Sequence, residues 1–395
     1  VKILQIHNRY RDAGGEDSVA RAEAELLRSA GHEVVEYVTE NPASARAAAT
    51  ALVRAPSNRA SARAVQEVAK RHTPDVAHVH NTWYSLTPAI VPALRDAGVP
   101  VVATIHNYRL MCANALLFRD GRPCDDCVGK QPWAGVRHRC YRGSVVASAA
   151  AASTISLHRA RRTWHDGVGR LLAPSAFLRD QLVRGGLPAD RIQVKPHSCP
   201  DPGARSLPPS QSTTVLFVGR LVPEKGIHAL LDAWAMARVP GLKLTVIGAG
   251  PLGDELERRR VPGTRLLGWQ PAEEVRRLML ESRALVFPSV WYEVFGMTIV
   301  EAMAAGLPVL ATDRGAPPEL VRDLGPDWTV SAGDIEAWAG ALHQLRDDHT
   351  IDETGRRARE LWEARSTPEA SLTTLTEVYR SVTRDSAARA GARSG

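Results

Sequence analysis

Glu293 and Glu301 stand in the segment EVFGMTIVE, two carboxylates with seven residues between them and Gly296 inside the interval. A carboxylate only accepts hydrogen bonds, and it can take them from two neighbouring hydroxyls at once. Two such groups at one edge of a sheet suit a polyol ligand. The preceding ALVFPS, Ala284 to Ser289, predicts a short buried strand ended by Pro288. The following MTIVEAMAAGLP predicts a helix that opens near Gly296 and stops at Gly306 before Pro308. Glu293 then hangs from a loop at a strand's carboxyl end, and Glu301 sits in the early turns of the next helix. In an open α/β sheet, that edge binds ligands.

A second cluster suits phosphate. VGRLVPEKG, Val218 to Gly226, follows a predicted strand. Gly219 lets the backbone turn, and Arg220 and Lys225 place two cations in one loop just before a helix. A helix amino terminus with two cations is a diphosphate site. Gly14 and Gly15 repeat the logic between the first strand and helix, where backbone N–H groups could approach an anion. GAGPLG, Gly248 to Gly253, fits the dinucleotide pattern G-x-G-x-x-G. The next strand, TRLLGW, ends in Trp269 where the ribose-binding acid would stand, which argues against a nicotinamide cofactor.

These residues need strands alternating with helices. The pattern predicts strands at Lys2 to His7, Val34 to Val38, Val76 to His80 and Val101 to Ile105. It resumes at Thr214 to Val218, Leu242 to Ile247, Thr264 to Trp269, Ala284 to Ser289 and Val309 to Thr312. The expected organisation is an amino-terminal domain over 1–199, a Pro/Ser-rich linker over 200–213 and a second domain over 214–370. A helix over 371–385 is expected to pack back toward the first domain, followed by a disordered tail over 386–395.

The 395 residues are long for one core, and 44% hydrophobic content is ordinary for a globular protein. No run of 18 apolar residues offers a membrane span. Val1 enters a strand pattern at once, so no signal peptide is read and the expected compartment is the cytoplasm. The net charge of +7 is spread along the chain without interleaved stacking aromatics, which argues against a nucleic-acid partner. Contact of this basic surface with anionic lipid is left open.

Cys112, Cys124, Cys127 and Cys140 surround a polar insertion over 108–142. Four thiolates suit a structural zinc that would staple a loop lacking its own core, with no open position for catalysis. Free thiols or a redox-labile pair are the alternatives. Cys199, in the linker, has no evident partner. Tyr108 and Arg109, with Trp133, His138 and Arg139, are candidates for shaping an acceptor pocket by chain position.

GR-x4-K at Gly219 to Lys225, IGAGP at Ile247 to Pro251, LLGW at Leu266 to Trp269 and PS-x3-E-x-FG-x4-EAMA-x-G-x-PV at Pro288 to Val309 together resemble family 4 of the retaining glycosyltransferases. The first half is similar more weakly, through Gly14-Gly15 and IHN at Ile105 to Asn107. The resemblance implies an α/β GT-B fold, two Rossmann-like domains whose parallel sheets face each other across a cleft. It implies that Arg220 and Lys225 grip a donor diphosphate, that Glu301 accepts from the ribose and that Glu293 faces the donor sugar. It implies that backbone N–H groups around Phe295, Gly296, Met297 and Thr298 reach the sugar or phosphate, with Gly219, Gly248 and Gly250 in the same donor site. Leu267 and Trp269 would lie near the base, and His106 would contact the sugar near the reaction centre. The implied activity is a metal-independent, retaining transfer from a nucleoside-diphosphate sugar, UDP first and GDP second. The acceptor would be a hydroxyl of a small metabolite, an antibiotic precursor or a glycan. A nucleotide-sugar epimerase and a non-catalytic sugar-nucleotide-binding protein are the rival readings.

Overall fold

The computed structural model describes residues 1–10, 14–42 and 44–394, with the side chains at 45, 49 and 389–394 also outside the description. The chain divides into two compact units. The first holds Val1–Leu117, Cys124–Lys195 and the stretch from Ser371; the second holds Phe118–Pro123 and Pro196–Ala370. The insertion expected wholly within the first domain is therefore split. Its Phe118–Pro123 piece is a two-residue hairpin in which Arg119 pairs with Arg122 across Asp120 and Gly121. Both turn residues have positive φ, 52° and 76°, as an Asp-Gly turn of this length requires.

The first unit is built on six parallel strands: β1 (Lys2–Arg9), β2 (Glu33–Glu40), β3 (Val76–Asn81), β4 (Val101–Thr104), β5 (Arg170–Ala173) and β6 (Ile192–Val194), in the order β2-β1-β3-β4-β5-β6. β3 and β4 are buried throughout; β4 reads as an apolar run, while β3 also buries His78, His80 and Asn81. One face packs Ile3, Leu27, Val76, Val102 and Leu172 against Leu375, Val378, Tyr379 and Val382 of the helix Pro368–Ser394. That helix runs through the residues expected to form a disordered tail, as far as Ser394; Gly395 lies outside the described residues. Its Ala/Arg-rich end carries no helix breaker before Gly391, so propensity favours continuation.

The second unit has six parallel strands: β7 (Thr214–Val218), β8 (Lys243–Ile247), β9 (Thr264–Gly268), β10 (Ala284–Phe287), β11 (Val309–Thr312) and β12 (Thr329–Val330), in the order β9-β8-β7-β10-β11-β12. This is the 3-2-1-4-5-6 order of a dinucleotide-type sheet, and its direction of winding reverses between β7 and β10. Apolar clusters cover both faces, one around Leu230, Trp234 and Trp338, the other around Ile299, Val300 and Trp362. The expected α/β class is present in both units. Strands β5, β6 and β12, of two to four residues, were too short for their pattern to be read from the sequence. Among the described residues no helix is long and apolar enough to cross a membrane.

Candidate functional site

The loops after β7 and β10 leave adjacent strands at the point where the second sheet reverses, and they carry the predicted charges. Lys225 closes a short 3-10 turn, Pro223–Lys225, ahead of the helix Ile227–Ala237. Gly226 between them has φ 73°, and a Cβ there would lie 2.0 Å from the Pro288 carbonyl oxygen. Glycine at this position lets the two loops touch. Lys225 Nζ then donates to Glu293 Oε2 at 2.7 Å. The same oxygen accepts from Ser289 Oγ at 3.1 Å and Trp291 Nε1 at 3.0 Å. Glu293 is buried, at 8% exposure, and three donors on one oxygen hold it rigidly. Lys225 also lies 5.5 Å from the ring centres of Phe287 and Trp291. Arg220 is the contrasting cation: its side chain is 64% exposed, with its guanidinium 3.7 Å from Glu224. One cation is fixed and one can swing, which suits capture of an incoming anion.

Glu301 lies in the helix Met297–Ala304, which follows Gly296 at φ 109° as expected. Burial pushes its carboxyl up to about 7, opposed by the Arg276 charge. Phe295 packs its ring in the core, so only its backbone could serve a ligand. Cys199 is no longer partnerless: it is buried in the same cluster, its thiol 3.7 Å from the Val300 carbonyl oxygen. Burial, with Glu301 nearby, raises that thiol to about 12.

Gly248 and Gly250 form a packing seam beside this site. Gly219 N–H donates to the Ile247 carbonyl at 3.0 Å, and Leu221 N–H to that of Ala249 at 2.9 Å. A Cβ on Gly248, at φ 144°, would sit 1.8 Å from the Gly219 carbonyl oxygen. Two glycines of the dinucleotide-like pattern, Gly248 and Gly250, thus press close against the Gly219–Leu221 backbone. Leu267 and Trp269 flank the end of β9, where Trp269 is 72% exposed. An exposed indole of this kind is available for stacking.

In the first unit the reversal falls between β1 and β3, with the loop after β4 beside it. Gly14 precedes the helix Gly15–Ser29, and its N–H donates to Asp17 Oδ2 at 2.7 Å. That N–H is spent on a side chain of its own helix, and Asp17 also meets His7 Nε2 at 2.7 Å. The carboxylate missed by the sequence reading here is Glu16. Its oxygens accept from Asn81 Nδ2 at 2.9 Å and Asn107 Nδ2 at 3.1 Å, and burial raises it to about 8. Nothing in its spacing signals this, because its partners come from the ends of β3 and β4. His106 is half-buried, with Nε2 3.1 Å from His80 Nδ1.

The acceptor-pocket expectation for Tyr108 and Arg109 does not fit their surroundings. Tyr108 is wholly buried. Arg109 is held 4.5 Å over Trp83 and 4.9 Å over Tyr141, and donates to the Ala113 carbonyl. The cavity it lines is bordered also by Trp83, Met111, Ile155, His158 and Trp164.

Cys112, Cys124 and Cys140 all act electrostatically on Cys127, whose buried thiol is raised to about 11, burial being the larger cause. All four lack disulfides. The donor set suits zinc, but among the described residues these sulfurs do not form a group with every ligand atom within 4.8 Å. The group that does is Glu23, His78 and His80. There the Lys195 ammonium binds Glu23, while Tyr379 and Thr104 each lie 2.8 Å from a nitrogen of His78. Lys195, Tyr379 and Thr104 thus already occupy one oxygen of Glu23 and both nitrogens of His78.

The profile described as Glycosyltransferase Family 4 matches residues 13–198, and that described as Glycosyl transferases group 1 matches residues 212–348. Glycogen synthase of Mycobacterium tuberculosis is 29% identical over 293 residues, covering 72% of this chain and 63% of that protein. D-inositol 3-phosphate glycosyltransferase of Rhodococcus erythropolis is 30% identical over 292 residues, covering 70% and 61%. The chain thus spans less than two thirds of these relatives' lengths. Sucrose-phosphate synthase of Thermosynechococcus elongatus shares the fold with a TM-score of 0.70 at 18% identity, over 97% of this chain and 99% of that one. Anabaena HepE in complex with UDP gives 0.69 at 17% identity, over 96% and 100%. With a two-unit parallel α/β architecture and the two profiles in sequence along it, the chain belongs to glycosyltransferase family 4 and has the GT-B fold.

Proposed function

We propose that this protein is a retaining glycosyltransferase that moves a sugar from a UDP-sugar to a hydroxyl of a glycan acceptor. The observation that carries the reading is the fixed Lys225–Glu293 pair, with the exposed Arg220 in the same loop as Lys225, at the reversal point of the second sheet. In this reading the two cations take the negative charge that builds on the departing diphosphate, without a metal. Glu293, with three donors fixing one of its oxygens, orients the sugar. Glu301 accepts from the ribose. The bond between the anomeric carbon and the β-phosphate oxygen breaks, its electrons going to that phosphate. The acceptor oxygen bonds the same face of the carbon, and its proton passes to the leaving phosphate oxygen. UDP is favoured because the HepE structures were determined with UDP and with UDP-glucose. A glycan acceptor is favoured because similar proteins include an O-antigen chain mannosyltransferase of Escherichia coli and a lipopolysaccharide core glycosyltransferase of Rhizobium meliloti.

A thermal-shift panel of UDP, GDP, ADP and TDP tests the donor, through linkage of binding to stability. UDP should give the largest rise in Tm, and Arg220→Ala should reduce it. Silence with all four diphosphates would remove the reading. Product anomeric configuration, read by NMR after transfer from a UDP-sugar, tests retention.

A further inference from the structure

His106 is joined to the interior of its unit by a chain of hydrogen bonds whose direction can be worked out from one amide. Gln5, buried in β1, places its Nε2 2.7 Å from the Ala20 carbonyl oxygen and 3.1 Å from His80 Nε2. Only an NH2 group can face that carbonyl, so the amide orientation is fixed. Its second hydrogen points at His80 Nε2, which must therefore be the bare, accepting nitrogen. Glu23 Oε2, 3.6 Å from the same nitrogen, is beyond hydrogen-bond reach, and its partner oxygen holds the Lys195 ammonium. His80 is buried, and burial first, then the neighbouring His78, His106, His7 and Lys195, keeps it neutral. A neutral ring with a bare Nε2 carries its proton on Nδ1. That Nδ1 lies 3.1 Å from His106 Nε2. The ring planes differ by only 22° and the ring centres are 5.4 Å apart, as an edge-on N–H···N bond requires.

We infer that Gln5 and His80 are positioning residues that hold His106 as the Nδ1–H tautomer, making it a hydrogen-bond donor to an oxygen of the ligand rather than a proton acceptor. The lone pair of His106 Nε2 is consumed by His80. Its other nitrogen, directed away from His80, carries the hydrogen. This rests on the transferase reading for what His106 touches, but the tautomer itself does not. Within that reading, His106 cannot take the acceptor's proton, which goes to the leaving phosphate.

The test is a long-range 1H–15N correlation spectrum of the full-length, histidine-labelled protein, with His106 assigned by its loss in His106→Asn. The expected result is a protonated Nδ1 and a bare Nε2 at both His80 and His106. A protonated His106 Nε2 in the wild-type protein overturns the inference, with no variant needed. Gln5→Glu replaces the donor facing His80 with an acceptor, which should reverse the chain and put the proton on Nε2 of both rings. Turnover should then fall about 100-fold, with KM for the UDP-sugar changed by less than about twofold. A folded Gln5→Glu protein with the wild-type tautomers or turnover would also overturn it. Absence of any diphosphate response would instead remove the transferase reading and leave the tautomer result standing.

Discussion

Glu301 titrates in the range where most assays are run, since burial raises its carboxyl to about 7. In the donor site we propose, the ionised form is the one that would accept from two ribose hydroxyls. UDP affinity should therefore strengthen as pH rises through about 7 and weaken below it, and Glu301→Gln should flatten the difference. Calorimetric Kd values across that interval check this. The ligand-free chain has the opposite sign. A carboxyl raised from its ordinary 4.5 stabilises the fold fully below that value and loses the contribution as pH climbs through about 7. Lys225 and Glu293 make a second residue-scale case. Removing the ammonium in Lys225→Ala leaves a buried carboxylate without its countercharge, which costs about 3 kcal/mol. Urea unfolding should show that loss, along with loss of the UDP-induced Tm shift.

At the scale of elements, the donor loops are positioned by close backbone contact more than by side chains. Gly248→Ala would drive a methyl into the Gly219 carbonyl oxygen, so the loop bearing Arg220 must move. The expected outcome is a folded protein with at least about tenfold weaker UDP binding, because misplaced phosphate-binding groups lose their orientation. Calorimetry with the Gly253→Ala variant, where a Cβ meets nothing within 4 Å, is the control. The cysteine loop is the other element at stake. A structural zinc there remains our proposal, and binding would draw the four sulfurs to about 2.3 Å from the metal. Elemental analysis should find zinc in the purified chain and none in Cys127→Ser. A metal-free wild-type protein would set zinc aside.

At the scale of the whole molecule, the first unit is completed from the far end of the chain. Tyr379 is wholly buried, and its hydroxyl lies 2.8 Å from His78 Nδ1. Tyr379→Ala should destabilise the protein by about 3–5 kcal/mol through the cavity it leaves. Tyr379→Phe should cost about 1 kcal/mol through the lost hydrogen bond. Chemical denaturation of the full chain measures both. His78 and His80, two residues apart on β3, share one strand face with their ring centres 4.2 Å apart, so the C-terminal helix meets the same polar chain that reaches His106.

The sequence by itself determined the alternation of strand and helix, because buried parallel strands must be apolar runs and the turns between them need glycine or proline. It also marked the loops we propose as donor-binding, since Arg220, Lys225, Glu293 and Glu301 lie within short motifs whose chemistry is local. Tertiary structure decided what those local patterns could not contain. It brought Lys225 onto Glu293 across 68 positions of chain. It put Glu16 between Asn81 at the end of β3 and Asn107 in the loop after β4, and turned a nucleotide-like glycine pattern into a packing seam. It also buried Tyr108 and tied down Arg109, both read as candidates from chain position alone. The reason is physical: burial and hydrogen-bond partners are properties of the packed interior, where residues distant in sequence set each other's charge, tautomer and exposure.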